Sequence, residues 1–331
     1  MTQAIRICLN NKPQQTFTEK DFDCLTVNVP DPGAGEVLVK PLYFSLDPYL
    51  AGMMRAWQGP HPLWSEGVVV GRMVGEVVAS NDPRFAPGDR VKGESPWQSL
   101  AVIGAGELEA ADEVADSPIS VHLSVLGSSG LTAWIGIHKI LRIQPGETLS
   151  ISSAAGTVGG LAGQLARLAG ARVIGIAGGE EKCRQVVEEL GFDACVDHWS
   201  KDLEAALASA ADGTLDAHYE NVGAKTLDPA LALLGDGGRI ALCGLIAHYQ
   251  DNNPIALKHF RRLLTGALTL TGFRLFDHTE DYATALAALR QHVIDGNLSV
   301  RETLSDGLEK APRAFIDMLE GRGAGKHLIR V

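Results

Sequence analysis

The sequence is poor in the residues that would tie it to several familiar classes of protein. Only five of its 331 residues are cysteine (Cys8, Cys24, Cys183, Cys195 and Cys243). They are odd in number and scattered, with no CxxC pair and no His/Cys cluster at metal spacing, so neither a disulfide frame nor a zinc site is predicted. No uncharged apolar run reaches the ~18 residues of a membrane span. The start, Met1-Thr2-Gln3-Ala4-Ile5-Arg6, lacks the apolar stretch of a signal peptide. Positive charge is scarce as well: 29 Lys and Arg stand against 40 Asp and Glu, a net charge of −11. No basic run extends past Arg261-Arg262, so a polyanionic partner would be repelled. These absences predict a soluble, reduced, cytoplasmic protein with neither nucleic acid nor membrane as partner.

What is present is apolar content and glycine. Hydrophobic residues make up 45% of the chain and glycine 37 positions, against an average glycine usage near 7%, so the chain is globular with many tight turns. Its length predicts about two domains. Up to about residue 120 the texture is one of short strands, such as Glu36–Lys40, Gly67–Val70, Gly75–Ala79 and Asp89–Lys92, punctuated by Pro32-Gly33, Asn81-Asp82-Pro83 and Pro87-Gly88. From about residue 121 strand and helix alternate: a strand ending at Ser152, a helix over 158–169, a strand over 172–177, a helix over 181–190, then further pairs up to Cys243. Such alternation predicts an α/β domain built on a parallel sheet covered on both faces. Helices are expected near 280–294 and 308–320, and the tail Lys326–Val331 reads as a strand returning to the first domain. The domains are therefore drawn as 1–120 with 298–331, and 121–297.

The most informative segment is Ser152-Ser153-Ala154-Ala155-Gly156-Thr157-Val158-Gly159-Gly160. It carries Ala154-x-Gly156-x-x-Gly159, a variant of G-x-G-x-x-G, placed after a predicted strand and opening a helix. Gly156 lets a pyrophosphate approach the backbone, Gly159 lets the helix pack closely on the sheet, and the helix N-terminus favours the anion. An NAD site would place an acid at the end of the second strand, but that strand ends Ile176-Ala177-Gly178-Gly179. Lys182 follows and can reach a 2′-phosphate, so NADP(H) is favoured over NAD(H).

These residues resemble the medium-chain dehydrogenase/reductases, and within them the zinc-independent branch of prostaglandin, curcumin and plant double-bond reductases. The resemblance rests on Phe44–Tyr49, Gly130–Trp134, the glycine turn, Gly175–Cys183, Tyr219–Gly223, Cys243–Tyr249, Gly272-Phe273 and Gly325–Val331, which run almost end to end. It implies a GroES-like β-rich domain, discontinuous in sequence, around an inserted Rossmann domain, and a homodimer. It also implies that catalytic and structural zinc are absent, since the first domain holds only Cys8 and Cys24.

Without a metal, an activated alkene suits the chemistry best. Hydride added to the β carbon of an enone or enal pushes charge onto the carbonyl oxygen, and the protein has to orient the alkene and stabilise that enolate. The resemblance places Tyr249 beside the nicotinamide, where a phenol of pKa ≈ 10 can donate to the oxyanion, and makes Tyr49 a pocket wall. It assigns cofactor contacts to Thr132, Gly156, Thr157, Val158, Gly159, Gly178, Lys182, His198, Asn221, Cys243, Gly244, Leu245, Ile246, Tyr249, Phe273, Arg274, Leu275 and Gly323. Three departures stand out: the apolar Leu50–Met54 in place of a basic residue after Asp47-Pro48-Tyr49, His198 in place of a tyrosine, and Gly323 in place of an asparagine. The first predicts a greasier pocket. A quinone reductase on the same scaffold and a non-catalytic NADPH-binding sensor are the alternative readings.

Overall fold

The computed structural model describes residues 2–13, 16–249 and 253–331. The chain divides into two compact units, one of Met1–Leu123 with Glu302–Val331 and one of Ser124–Arg301. The return to the first unit falls at Arg301 because the segment before it is held by the second: Ser299 N donates to Gln164 Oε1 at 2.9 Å, and Gln164 Nε2 donates to the Ser299 carbonyl, also at 2.9 Å.

The first unit is β-rich. Its strands are β1 (Thr2–Leu9), β2 (Phe22–Val29), β3 (Glu36–Ser45), β4 (Val70–Ser80), β5 (Arg90–Pro96), β6 (Ala101–Gly104) and β7 (Leu108–Ala110), with one short helix, α1 (Leu50–Ala56), after β3. Strands β1 and β2 pair as an antiparallel hairpin. The seven-stranded sheet runs β14-β15-β3-β4-β5-β7, with β6 paired to β3, where β14 is Glu302–Asp306 and β15 is Lys326–Arg330. The C-terminal strand thus lies antiparallel beside β3, Leu328 opposite Ser45. Alternation along β3 and β4 turns Val37, Val39, Phe44, Met73 and Val77 into a core shared with Trp97 and with Phe315 of α9 (Ala311–Leu319).

The second unit holds α2 (Ser128–Ile135), β8 (Thr148–Ser152), α3 (Thr157–Leu168), β9 (Arg172–Ala177), α4 (Glu180–Glu188), β10 (Ala194–Asp197), α5 (Leu203–Ala211), β11 (Leu215–Glu220), α6 (Ala224–Leu233), β12 (Leu234–Leu242), α7 (Arg262–Thr265), β13 (Thr269–Gly272) and α8 (Tyr282–Ile294). Its six strands are parallel in the order β10-β9-β8-β11-β12-β13. Numbered within this unit, that is the 3-2-1-4-5-6 order of a dinucleotide-binding fold, with the switch point between β8 and β11. Ligands of such sheets bind beyond the C-terminal strand ends at that point, so Ser152 and Glu220 mark where a site is expected.

Candidate active site

The turn leaving β8 is shaped for close approach. Ser153 adopts φ +54°, and the chain then enters α3 with Gly156 as its cap residue, no side chain bonding the helix amides. The first-turn N–H groups of Thr157, Val158 and Gly159, which a helix start leaves without intrahelical partners, are therefore available to an anion. A methyl group on Gly159 would stand 2.3 Å from the Ser153 carbonyl oxygen, and one on Gly156 2.9 Å from Ser153 Oγ. Gly159 is demanded by backbone proximity and Gly156 by the Ser153 side chain, a tight turn of the kind a pyrophosphate site uses.

Across the switch point lies a buried polar network that sequence patterning did not single out. Glu220, at the tip of β11, is fully buried. Its carboxylate accepts from Ser152 Oγ at 2.7 Å, from the Gly223 amide at 2.9 Å and from Thr226 Oγ1 at 2.9 Å. His218 Nε2 stands 2.7 Å from its other oxygen, and His218 Nδ1 2.7 Å from Ser150 Oγ. With the carboxylate as acceptor, Nε2 carries the hydrogen, an assignment made from the network. Burial pushes the Glu220 carboxyl up, but the hydrogen bond and charge of His218 and the amides of Gly223 and Val222 outweigh it, and its pKa lies below the ordinary value.

This network holds Asn221. Its amide N donates to Ser152 Oγ at 2.7 Å, its Nδ2 donates to the Ser152 carbonyl at 2.8 Å, and its own carbonyl accepts from Ile246 N at 3.1 Å. Asn221 thereby ties the β8 tip to the turn after β12. In that turn the Tyr249 oxygen accepts the Leu245 N–H at 3.3 Å. Burial raises the Tyr249 pKa, so the phenol stays protonated at neutral pH. Its ring folds back over Gly244, where a methyl group would meet the phenol oxygen at 3.3 Å.

The residues around this turn make contacts of their own. Tyr219 donates to the Thr132 carbonyl at 3.0 Å, and its ring meets Phe273 edge-on at 6.3 Å. Burial pushes the Cys243 thiol up to about 11, which leaves it a neutral packing group rather than a nucleophile. Arg274 is turned to Asp277 at 2.8 Å and lies over Phe276. Leu275 opens a short 3-10 segment and accepts from the Tyr282 hydroxyl at 3.1 Å.

Lys182 sits in the first turn of α4, after Gly179, which takes φ +88° and donates its amide to Asp197 Oδ1 at 2.8 Å. Gly178 lies against the His198 ring, with Nε2 2.7 Å from where a Cβ would be. Lys182, Gly178 and His198 thus meet at the tips of β9 and β10.

Tyr49 and Gly323 belong to the other unit. Tyr49 is 37% exposed, with the Arg72 guanidinium 5.9 Å over its ring. The preceding Asp47 is buried and accepts from Lys326 Nζ at 2.7 Å and Ser45 Oγ at 2.6 Å. Burial raises the Asp47 carboxyl, yet Lys326 and Arg72 overcome this and hold it below the ordinary range. Leu50, Ala51 and Met54 pack into the core of this unit, so their apolar character fills the interior and does not make a greasier pocket wall. Gly323 takes φ +76°, the left-handed region that favours glycine, with the His327 and Thr303 side chains within 3.0 Å of a built Cβ.

A family model described as the N-terminal domain of oxidoreductase matches residues 6–111, and one described as zinc-binding dehydrogenase matches residues 157–291. The NADPH-dependent curcumin reductase of Escherichia coli (strain K12) is 37% identical over 98% of this chain and 96% of its own length. The NADP(+)-dependent 2-alkenal reductase of Nicotiana tabacum is 33% identical over 96% of this chain and 94% of its own. The crystal structure of CurA from Vibrio vulnificus in complex with NADPH is 36% identical, covers 100% of this chain and 99% of its own, and superposes with a TM-score of 0.92. The chain belongs to the medium-chain dehydrogenase/reductase family, in the branch that holds these reductases.

The second description names zinc, whose protein ligands are thiolates, imidazoles and carboxylates. Cys8 pairs with Asp23 and Cys24 with Ile7 in the β1–β2 hairpin, so the two thiols leave opposite faces. Among the described residues the one group of three metal-capable side chains is His278, Glu280 and Asp281, and Asp281 is already bound by Lys139 at 2.6 Å.

Proposed function

We propose that this protein reduces the C=C bond of α,β-unsaturated ketones or aldehydes with NADPH. The observation that carries the reading is the Gly156–Gly159 turn at the switch point of a 3-2-1-4-5-6 sheet, beside the Asn221 loop and the Lys182–His198 pair. Bound there, NADPH supplies a hydride to the β carbon of the alkene. The chain's residues then do three things. The α3 amides and Gly156 receive the pyrophosphate, and Lys182 with His198 receives the 2′-phosphate. Asn221, fixed on Ser152, and the backbone of Cys243–Ile246 and Phe273–Leu275 orient the nicotinamide end. The Tyr249 hydroxyl, kept protonated by its raised pKa, donates to the carbonyl oxygen as enolate charge develops.

The test is NADPH oxidation with a panel of 2-alkenals, a linear enone, a benzylideneacetone-type ketone and a naphthoquinone, each repeated with NADH. Saturated carbonyl products with NADPH preferred are expected. Turnover of the quinone alone, or tight NADPH binding without turnover, contradicts the reading.

The same reading includes a cytoplasmic homodimer. Five free thiols suit a reducing compartment, and among the described residues no helix is long and apolar enough to cross a membrane. Strand β13 ends the parallel sheet as an open edge with Leu270 exposed, and Leu264, in α7 just before it, is 83% exposed. An apolar open edge of this kind favours pairing with a second copy. Sedimentation is expected to show a dimer that Leu270→Lys converts to monomer; a wild-type monomer at micromolar concentration contradicts the assignment.

A further inference from the structure

At the tips of β9 and β10 the chain leaves a large ring in water. Trp199 is 70% exposed, whereas Trp64 and Trp97 are fully buried. Its neighbours are basic groups from two further positions. Lys225, in the first turn of α6, places Nζ 3.8 Å from the indole centroid, and the His198 ring lies 4.3 Å from the indole at 37°. Lys182 joins them electrostatically: after burial, the charges of Lys225 and Lys182 act together to lower the His198 pKa. Asp197 is tied to the backbone, its Oδ1 accepting from Gly179 N at 2.8 Å and Trp199 N at 2.9 Å. That clamp fixes the Trp199 turn against the start of α4. Gly178 completes the arrangement, because a side chain there would push into the His198 ring, whose Nε2 lies 2.7 Å from its Cβ position, with Trp199 Nε1 in ordinary contact at 3.4 Å.

A lone Lys–Trp stack on a surface is ordinary. Here the ring is open, Lys225 and His198 lie against it, and the cluster stands at the C-terminal end of the sheet, where a dinucleotide lies. We propose that Trp199 and Lys225 bind the 2′-phosphoadenosine end of the cofactor, Trp199 as a stacking plate for the purine and Lys225 as a further cation on the 2′-phosphate, and that Lys225 thereby adds to the preference for NADPH over NADH. The proposal rests on the cofactor reading above. Stacking of a base on an aromatic ring is worth about five- to hundredfold in affinity, and one charge-assisted phosphate contact about tenfold or more.

Fragment binding tests this without turnover. Adenosine 2′,5′-bisphosphate and 5′-AMP are titrated calorimetrically into the wild-type protein and into Lys225→Met, Trp199→Phe and Trp199→Ala, each checked for an unchanged melting temperature. Lys225→Met is expected to weaken the bisphosphate about tenfold and leave 5′-AMP unchanged. Trp199→Ala is expected to weaken both fragments at least about fivefold, with Trp199→Phe restoring most of the affinity. If the wild type binds the bisphosphate and all three variants stay within twofold of it, the assignment is overturned while the cofactor reading stands. If the wild type binds neither the bisphosphate nor NADPH, both fall.

Discussion

At the scale of the single residue, the proposed function assigns the chemistry and the cofactor preference to two side chains. Tyr249 keeps its proton because burial raises its pKa, and the Leu245 amide fixes the position of its oxygen. Tyr249→Phe keeps the ring that covers Gly244 and removes only the hydroxyl. It is expected to lower kcat on enones by at least about tenfold with NADPH KM little changed, measured by steady-state kinetics; an unchanged kcat reduces Tyr249 to a wall. Lys182→Ala is expected to raise the NADPH KM about tenfold and leave NADH use unchanged. Equal losses with both cofactors contradict the 2′-phosphate assignment. Sequence motif and resemblance singled out both residues, since each sits at a fixed step from a glycine-marked turn. The contact between Trp199 and Lys225 was not legible, because residues from different βα turns meet only once the sheet is assembled.

At the scale of the element, β11 does more than alternate. A strand buried on both faces is expected to be apolar, yet His218 and Glu220 are both fully buried and bond to each other and to Ser150 and Ser152 of β8. Periodicity cannot announce such a network, because its partners come from a strand 68 residues earlier. Its use is visible in what Glu220 holds: the Val222 and Gly223 amides, Thr226 at the start of α6, and, through Ser152, Asn221. Glu220→Gln places donors against donors and is expected to cost about 3–5 kcal/mol in urea unfolding. It is also expected to raise the NADPH KM more than it changes kcat, because the loop carrying Asn221 loosens. A stability loss with an unchanged KM would show that the network supports only the fold. By contrast, the turn at 154–159 and the helix after it were legible to within a residue, the helix expected over 158–169 running from Thr157 to Leu168. Local backbone demands are written in neighbouring residues.

For the molecule as a whole, the chain ends are tied to its beginning by charge as well as by strands. Lys326 and Asp47, 279 residues apart, form a buried pair, a contact that composition cannot reveal even though the tail Lys326–Val331 reads as a strand. The Asp47 and Glu220 carboxyls both lie below their ordinary values. Their contribution to stability is therefore complete above the unfolded-state values, about 3.9 for Asp and 4.3 for Glu, and is lost as pH falls through the lower folded-state values. Lys326→Met strands the Asp47 charge. It is expected to destabilise by about 3–5 kcal/mol at pH 7, with the gap to wild type narrowing as pH falls and Asp47 becomes neutral. Urea unfolding between pH 7 and pH 3 checks this, and a gap independent of pH contradicts it.

The account as a whole turns on where the hydride lands. NADPH carrying deuterium at the transferable C4 position, turned over with a benzylideneacetone-type enone and the product read by NMR, tests it most directly. Deuterium on the β carbon of a saturated ketone is the predicted result. Deuterium on the carbinol carbon of an allylic alcohol would contradict the account, because the carbonyl and not the alkene would then be the acceptor.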